Sequence, residues 1–249
     1  MADRVPADLH VHTALSPCGS EGMRPAEILL TAEQRGIRVL GIVDHSTAQN
    51  GWAVAEAAHA FELRVFVGLE IESAEGVHLL ALFDDARAGM DMDAVVAAHL
   101  PSLRNRPDLF GEQLLLDEWG EVVGTDERLL AAATDLSVEE IAGMTAARGG
   151  MSIPAHIDRT VNGLLPLLGF VPPALQVEAF EVSRHMTRSE ARARWPELAE
   201  RPLVTGSDAH YLDDIGAAYT WISAELAEAP TGAREWGQRL AREMTRSGD

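Results

Sequence analysis

An α/β fold, either a (β/α) barrel or a doubly wound sheet, is predicted by three features of the sequence. Short apolar runs alternate with amphipathic helical stretches through the 249 residues. Runs such as VLGIV and VFVGL are apolar throughout, as strands covered on both faces and therefore parallel should be. No glycine-rich phosphate loop follows the first run, which counts against a dinucleotide-binding sheet.

Strands are expected at 7–12, 39–43, 65–70, 77–83, 151–155, 175–182 and 203–206, with a further one at 218–222. The first helix opens at Pro25, whose fixed φ suits the first helical position, and stops at Gly36. Only IESAEG joins the strands at 65–70 and 77–83. That is too short for a helical crossover, so this pair is expected to be antiparallel. Residues 104–135 break the alternation and read as an insertion that could cover the mouth of a barrel. Ser137 to Glu140 and Thr187 to Glu190 both have the spacing of a capping box that opens a helix. The last helix is expected at 233–244, and residues 1–249 read as one domain.

Composition narrows the function. At 47% hydrophobic residues the chain can bury one sizeable core. No apolar run approaches the ~20 residues of a membrane span, and the N-terminus shows no apolar signal region. With a single cysteine, Cys18, no internal disulfide can form, which predicts a cytoplasmic protein. The net charge is -19, from 20 Lys+Arg against 39 Asp+Glu. Such a surface repels polyanions, so no duplex nucleic acid and no membrane are expected as partners. A small phosphorylated substrate held at a metal centre is not excluded, because bound cations invert the local field.

The chemistry lies in the histidines. On a strand, residues i and i+2 share a face, so His10 and His12 in DLHVHT should project side by side. Asp44-His45 follows VLGIV, Glu70 closes VFVGLE, His78 opens HLLALF, His156 follows MSIPA, and Asp208 and His210 follow PLVTGS. Of nine histidines, six therefore fall in or at the ends of apolar strands. Barrel strands point their C-terminal ends into one mouth, so this distribution predicts a polynuclear metal site.

The ordered segments DLHVHT, VDH, GLE, GVH, PAH and GSDAH resemble the motifs of the PHP (polymerase and histidinol phosphatase) superfamily, across residues 8–210. As a set they are specific; none is specific alone. The resemblance implies a distorted (β/α)7 barrel with two or three divalent ions. One ion would sit on His10, His12, Glu70 and Asp208. A second would share Glu70 and take His78 and His156, and a third would lie on His45 and His210. Imidazole and carboxylate donors suit Mn, Fe or Zn. After the first motif, relatives often carry an aspartate or histidine ligand in an SDG-like context, where this chain reads ALSPCG and resembles a less-characterised branch. Cys18 is either a soft ligand in that place or a small buried apolar residue.

Phosphoester hydrolysis by a metal-activated hydroxide is the expected activity, on a small phosphorylated metabolite or nucleotide. Arg159, three residues after His156, resembles an arginine that contacts phosphate in some relatives; otherwise it is a solvated loop residue. Asp208 is expected at the reacting centre. His210 or His45, if not metal-bound, could protonate the leaving group. Arg184 and His185, which follow the sixth strand and could face the mouth, read in preference as surface residues, and Asp44 as an acceptor that orients its neighbours. Three other readings stay open. One is a nuclease-like phosphodiesterase on short oligonucleotides, and another is a non-catalytic metal-bound regulatory protein. The third, hydrolysis of a C–N bond, lacks a lysine at the bridging position.

Overall fold

Every second residue of VLGIVDH and RVFVGLEIE turns to the same face, and in the computed structural model, which describes residues 3–246, both faces are covered. β1 (Arg4–Val11), β2 (Val39–His45) and β3 (Arg64–Glu72) run parallel, with β2 and β3 paired from Val39↔Arg64 to His45↔Glu70. β4 (His78–Phe83) returns antiparallel to β3, as the short connection requires, and pairs Glu72 with His78. β5 (Leu114–Leu116) and β6 (Val122–Thr125) form a separate hairpin. β7 (Met151–Pro154) lies antiparallel to β4, β8 (Phe180–Val182) pairs parallel with β9 (Leu203–Thr205), and β10 (Thr220–Ser223) closes antiparallel on β1.

The main sheet has the order β10-β1-β2-β3-β4-β7, and β8-β9 stands apart as its own ladder. A few backbone bonds bridge the gaps. Ile157 N donates to Glu181 O at 2.8 Å, and His12 N donates to Ala209 O at 2.9 Å. The fold is thus mixed α/β with a curled, half-barrel sheet. Of the expected distorted (β/α)7 barrel the antiparallel β4 is present, whereas β10 closes antiparallel on β1 and the ladder is interrupted on both sides of β8-β9. The strand expected at 175–182 shrinks to Phe180–Val182. Residues before it turn, with Leu175 N bonded to Pro172 O, and Glu178 spends its side chain on Ser152 N.

Nine helices lie among the described residues: α1 (Pro25–Gln34), α2 (Gln49–Ala57), α3 (Ala86–His99), α4 (Pro107–Phe110), α5 (Val138–Ala147), α6 (Leu164–Leu168), α7 (Arg188–Arg194), α8 (Ala224–Ala227) and α9 (Ala233–Arg246). Pro25 opens α1, and both capping boxes form, at Ser137–Glu140 and Thr187–Glu190. None of these helices is long and apolar enough to cross a membrane.

Core packing divides by strand face. Val67, Leu69 and Ile71 face Leu79, Ala81, Met92 and Ile141 on one side of the sheet. Phe66, Leu80, Leu82 and Ile153 gather on the other around Trp236 of α9. Trp236 is fully buried, and its indole N–H donates to Leu226 O at 2.7 Å. On β3 the Phe66 face continues to Gly68 and then Glu70, so one inward row passes from apolar to charged within four residues.

The 104–135 segment is pinned beside the site. The Asn50 side chain donates to Leu114 O and accepts from Leu116 N, both at 2.9 Å, and Leu114 N donates to Ala14 O. Only Leu130 and Ala131 of this segment reach the wall of the central cavity. Trp119, at the hairpin turn, is 75% exposed and neither packs nor caps that cavity.

Candidate metal centre

β1 carries His10, His12 follows its last residue, and the β1 register shifts between Asp8 and Val11. Successive strand residues point to opposite faces. Here Leu9 stays in the apolar core while His10 reaches Glu70, Asp208 and His12. β4 contributes through its direction: running antiparallel, it brings its first residue, His78, to the end of the sheet where β3 places Glu70. His156 lies two residues past β7, and Asp208 and His210 follow β9.

All nine residues singled out from the sequence as ligands meet at this end. Glu70 is central. Its Oε1 lies 2.7 Å from His78 Nδ1 and 3.0 Å from His156 Nε2, and its Oε2 lies 3.2 Å from His45 Nδ1 and 3.4 Å from His12 Nε2. Asp208 Oδ1 is 3.4 Å from Nε2 of both His10 and His12. Cys18 Sγ is 3.6 Å from His45 Nε2. Among the described residues, three groups converge closely enough to hold an ion: His10, His12 and Asp208; His45, Glu70 and His78; and His12, His45 and His210. His45 thus joins Glu70 and His78, where the family resemblance put His156.

Hydrogen bonds outside the cluster fix which ring nitrogens face it. His10 Nδ1 lies 3.1 Å from both oxygens of Glu181, which can only accept, so its Nε2 turns inward. Ser16 Oγ gives its proton to Asp44 Oδ1 at 2.7 Å and so accepts from His12 Nδ1 at 2.8 Å, leaving a lone pair on His12 Nε2. His210 Nδ1 meets the Asp208 carbonyl at 3.0 Å. Asp44 therefore acts on His12 through Ser16, and it also takes Thr13 N and Oγ1 at 2.7 Å each. Asp8 accepts from Ser207 N and Gly216 N, which ties β1 to the loop carrying Asp208.

Several features fit this donor set to cations. His10 Nε2 and His12 Nε2 stand 3.1 Å apart, and two lone pairs at that distance need a proton or a cation between them. His210 Nε2 and His156 Nδ1 are buried with no hydrogen-bond partner. His156 and Asp208 hold φ of 31° and 52°, conformations that cost roughly 1–3 kcal/mol each and gather at functional sites.

The protonation pattern of the protein alone is split. Burial would lower His10, but Glu181, Glu70 and Asp208 hold it well above its usual value. Burial likewise opposes the rise of His78 to about 9, which Glu70 drives. Burial lowers His45 to about 4 and, with His210 beside it, puts His12 well below its usual value. Against the cost of burial, Glu70 is held well below the usual carboxylate range by His78, His10 and His45. Burial pushes the Cys18 thiol up to about 12, with Glu70 and Asp208 adding to it. Cys18 is exposed toward the cavity, so it is not the small buried residue that one reading of the sequence expects.

The cavity over the cluster measures about 680 Å³, within the range of small-ligand sites. Arg159 lines it and donates from Nη1 to Asp208 Oδ2 at 2.7 Å. Arg184 and His185, read from the sequence as surface residues, line it too. Glu181 was not singled out from the sequence, although an acid inside the apolar run AFEV was a signal for it. It is 1% exposed, accepts from His156 N at 3.0 Å, and lies against Gly206, where a Cβ would come within 2.7 Å of its Oε2.

The fold is similar to that of several solved structures. Residues 192–229, which include Asp208 and His210, match the family described as PHP-associated. A stretch of 100 residues is 31% identical to an uncharacterised protein of Methanocaldococcus jannaschii, covering 36% of this chain and 58% of that one. The lesion-specific Endonuclease Q of Pyrococcus furiosus is similar in structure with a TM-score of 0.66 at 18% identity, over 86% of this chain and 51% of that one. A protein of Bifidobacterium adolescentis assigned as a metal-dependent phosphoesterase gives 0.59 at 18%, over 86% and 91%. An Endonuclease Q complex with a 27-mer duplex substrate, bearing an abasic lesion at its active site, gives 0.62 at 17%, over 84% and 50%. This chain thus spans about half the length of the Endonuclease Q chains.

The duplex-bound neighbour overturns the expectation that duplex nucleic acid is excluded as a partner. Net charge averages over the whole surface, whereas a phosphate backbone meets one mouth. Here that mouth carries Arg159 and Arg184 beside a donor set suited to cations.

Proposed function

We propose that this chain is a metal-dependent phosphoesterase. The observation that carries the reading is the convergence of six histidines, Glu70 and Asp208 at one cavity, with outer acceptors turning the Nε2 atoms of His10, His12 and His210 inward. Two or three divalent ions, of Mn, Fe or Zn, would be held by His10, His12 and Asp208, by His45, Glu70, His78 and His156, and by His12, His45 and His210 with Cys18 at the rim. We also read the six-stranded sheet and the β8-β9 pair as one distorted (β/α)7 barrel.

Divalent ions in such a site supply Lewis acidity toward phosphoryl oxygens and acidify a water toward neutral pH. The protein's own residues do the rest. Glu70 and Asp208 provide the negative charge that gathers cations. Arg159 lies where its fork can meet non-bridging phosphoryl oxygens and hold Asp208 in place. His210, with Nδ1 fixed by a carbonyl, can carry a proton on Nε2 to a leaving oxygen when only two ions are held and its Nε2 binds none.

Two substrate classes follow, a small phosphorylated metabolite or a nucleic-acid phosphodiester. The second is favoured by the likeness to Endonuclease Q. A panel of phosphomonoesters, nucleotides, short single strands and abasic duplex DNA, each with Mn, Fe and Zn, separates them. Hydrolysis that a chelator stops is expected for one class. Absence of hydrolysis across the panel with every metal overturns the reading.

A further inference from the structure

The three loops that follow β7, β8 and β9 are pinned to one another at the mouth. Asp158 accepts from Ser183 N and Ser183 Oγ, both at 2.7 Å, which fixes the β7 loop beside the β8 loop. Arg159 then reaches Asp208 at 2.7 Å, and Arg184 reaches Asp214 at 2.8 Å, which ties both loops to the one after β9. Two arginines are thus held on adjoining loops at one rim, although like charges so placed repel. Neither is spent on the core: their side chains are 45% and 34% exposed.

The two differ in what lies beside them. The partner of Arg159 belongs to the metal cluster, and the partner of Arg184 lies outside it. Arg184 and Ser183 also form the wall shared with a second cavity of about 530 Å³, which Ser189, Thr205 and Tyr219 line as well. We propose that Arg184 is the binding group for a second phosphate of the substrate, one step away from the phosphoryl group that reacts at the metal cluster. The proposal rests on the phosphoesterase reading above. Arg184 uses Nη1 on Asp214, and a guanidinium has further N–H groups in its fork for an anion. Asp214 holds the guanidinium over the opening until the anion arrives. A chain with 39 acidic residues against 20 basic ones has few cations to place, and without Arg184 the Asp214 carboxylate at this rim would repel a second phosphate.

The second phosphate can come from a small bisphosphate or from the next linkage of a nucleic-acid strand. Two substrate pairs distinguish these sources in the metal-loaded protein: propyl phosphate against 1,3-propanediol bisphosphate, and a dinucleotide with and without a 5′-phosphate. The readout is the ratio of kcat/KM within each pair, for the wild type, Arg184→Ala and Arg184→Lys. In at least one pair the wild type should favour the doubly charged member by on the order of tenfold, the worth of one charge-assisted contact at an open site. Arg184→Ala should bring that ratio to near one through KM, and Arg184→Lys should restore part of it. Calorimetric binding of the same compounds is the second arm, and it reports on Arg184 even if nothing is turned over. Absent turnover with an Arg184-dependent preference in binding sinks the phosphoesterase reading and keeps the subsite. A preference of equal size in wild type and Arg184→Ala, or no preference in either arm, overturns the subsite.

Discussion

His10 presents Nδ1 to both carboxylate oxygens of Glu181 at 3.1 Å, although 171 residues separate them. The contact sets the tautomer of His10, and the same carboxylate accepts from His156 N, so one buried acid steadies two candidate ligands. Glu181→Gln should therefore weaken metal affinity by about 10–100-fold, the usual effect of losing such an outer carboxylate. Competition against a fluorescent chelator measures it. Unchanged affinity would reduce Glu181 to a packing residue.

Glu70 contacts His78 and His156 through one oxygen and His45 and His12 through the other. Glu70→Gln should lower metal stoichiometry, read by elemental analysis, by more than the loss of one peripheral ligand does. His78→Ala is the comparison, and equal losses in the two variants would remove Glu70 from its shared position.

Cys18 lies at the rim, 3.6 Å from His45 Nε2. Cys18→Ser should reduce the occupancy of the outermost ion and leave the melting temperature of the metal-free protein within about 1 °C, since an exposed side chain contributes little to stability. In Co-substituted protein it should also abolish a thiolate charge-transfer band. A wild type without that band rules the thiolate out as a ligand.

His78 titrates at about 9 in the folded protein against an ordinary 6.5, because Glu70 favours its charged form. A pKa raised on folding stabilises the protein fully below the unfolded value, and that contribution is lost as pH rises through the folded one. The metal-free protein should therefore lose thermal stability between about pH 6.5 and 9. Metal binding must displace the same proton, so apparent metal affinity should rise over that interval. Thermal melts with and without chelator test both halves; a shallower slope for His78→Gln than for the wild type is the expected pair, because His10, also held above its usual value, still contributes.

Arg159→Ala should cut phosphoester turnover by on the order of tenfold to a thousandfold, the range for a charged contact that strengthens in the transition state. Arg159→Lys should restore part of it, because lysine lacks the fork. Metal content, measured on the same samples, should stay unchanged. A parallel loss of metal would assign the arginine to holding Asp208, to which it donates at 2.7 Å.

The sequence alone determined much of this protein. Alternating apolar runs place strands, and the antiparallel return of β4 follows from the six residues that precede it. Polar residues at strand ends cost free energy in a core, so DLHVHT, VDH, GLE and GSDAH mark the site before any folding is known. Local signals also set the helix starts at Pro25, Ser137 and Thr187. Tertiary structure decided what depends on pairing and on loops distant in sequence. The register shift in β1 and the break of the ladder at β8-β9 arise from how strands meet, and no residue pattern encodes either. The role of Glu181 needed β8 and β1 brought to one site across β9, with Gly206 leaving room between their side chains. Net charge, a property of the whole chain, could not say what one mouth accepts, because Arg159 and Arg184 stand together only through Asp158, Asp208 and Asp214. Periodicity reports the burial of each residue singly, whereas a site is a set of distances between chain segments, and those are fixed only when the sheet curls.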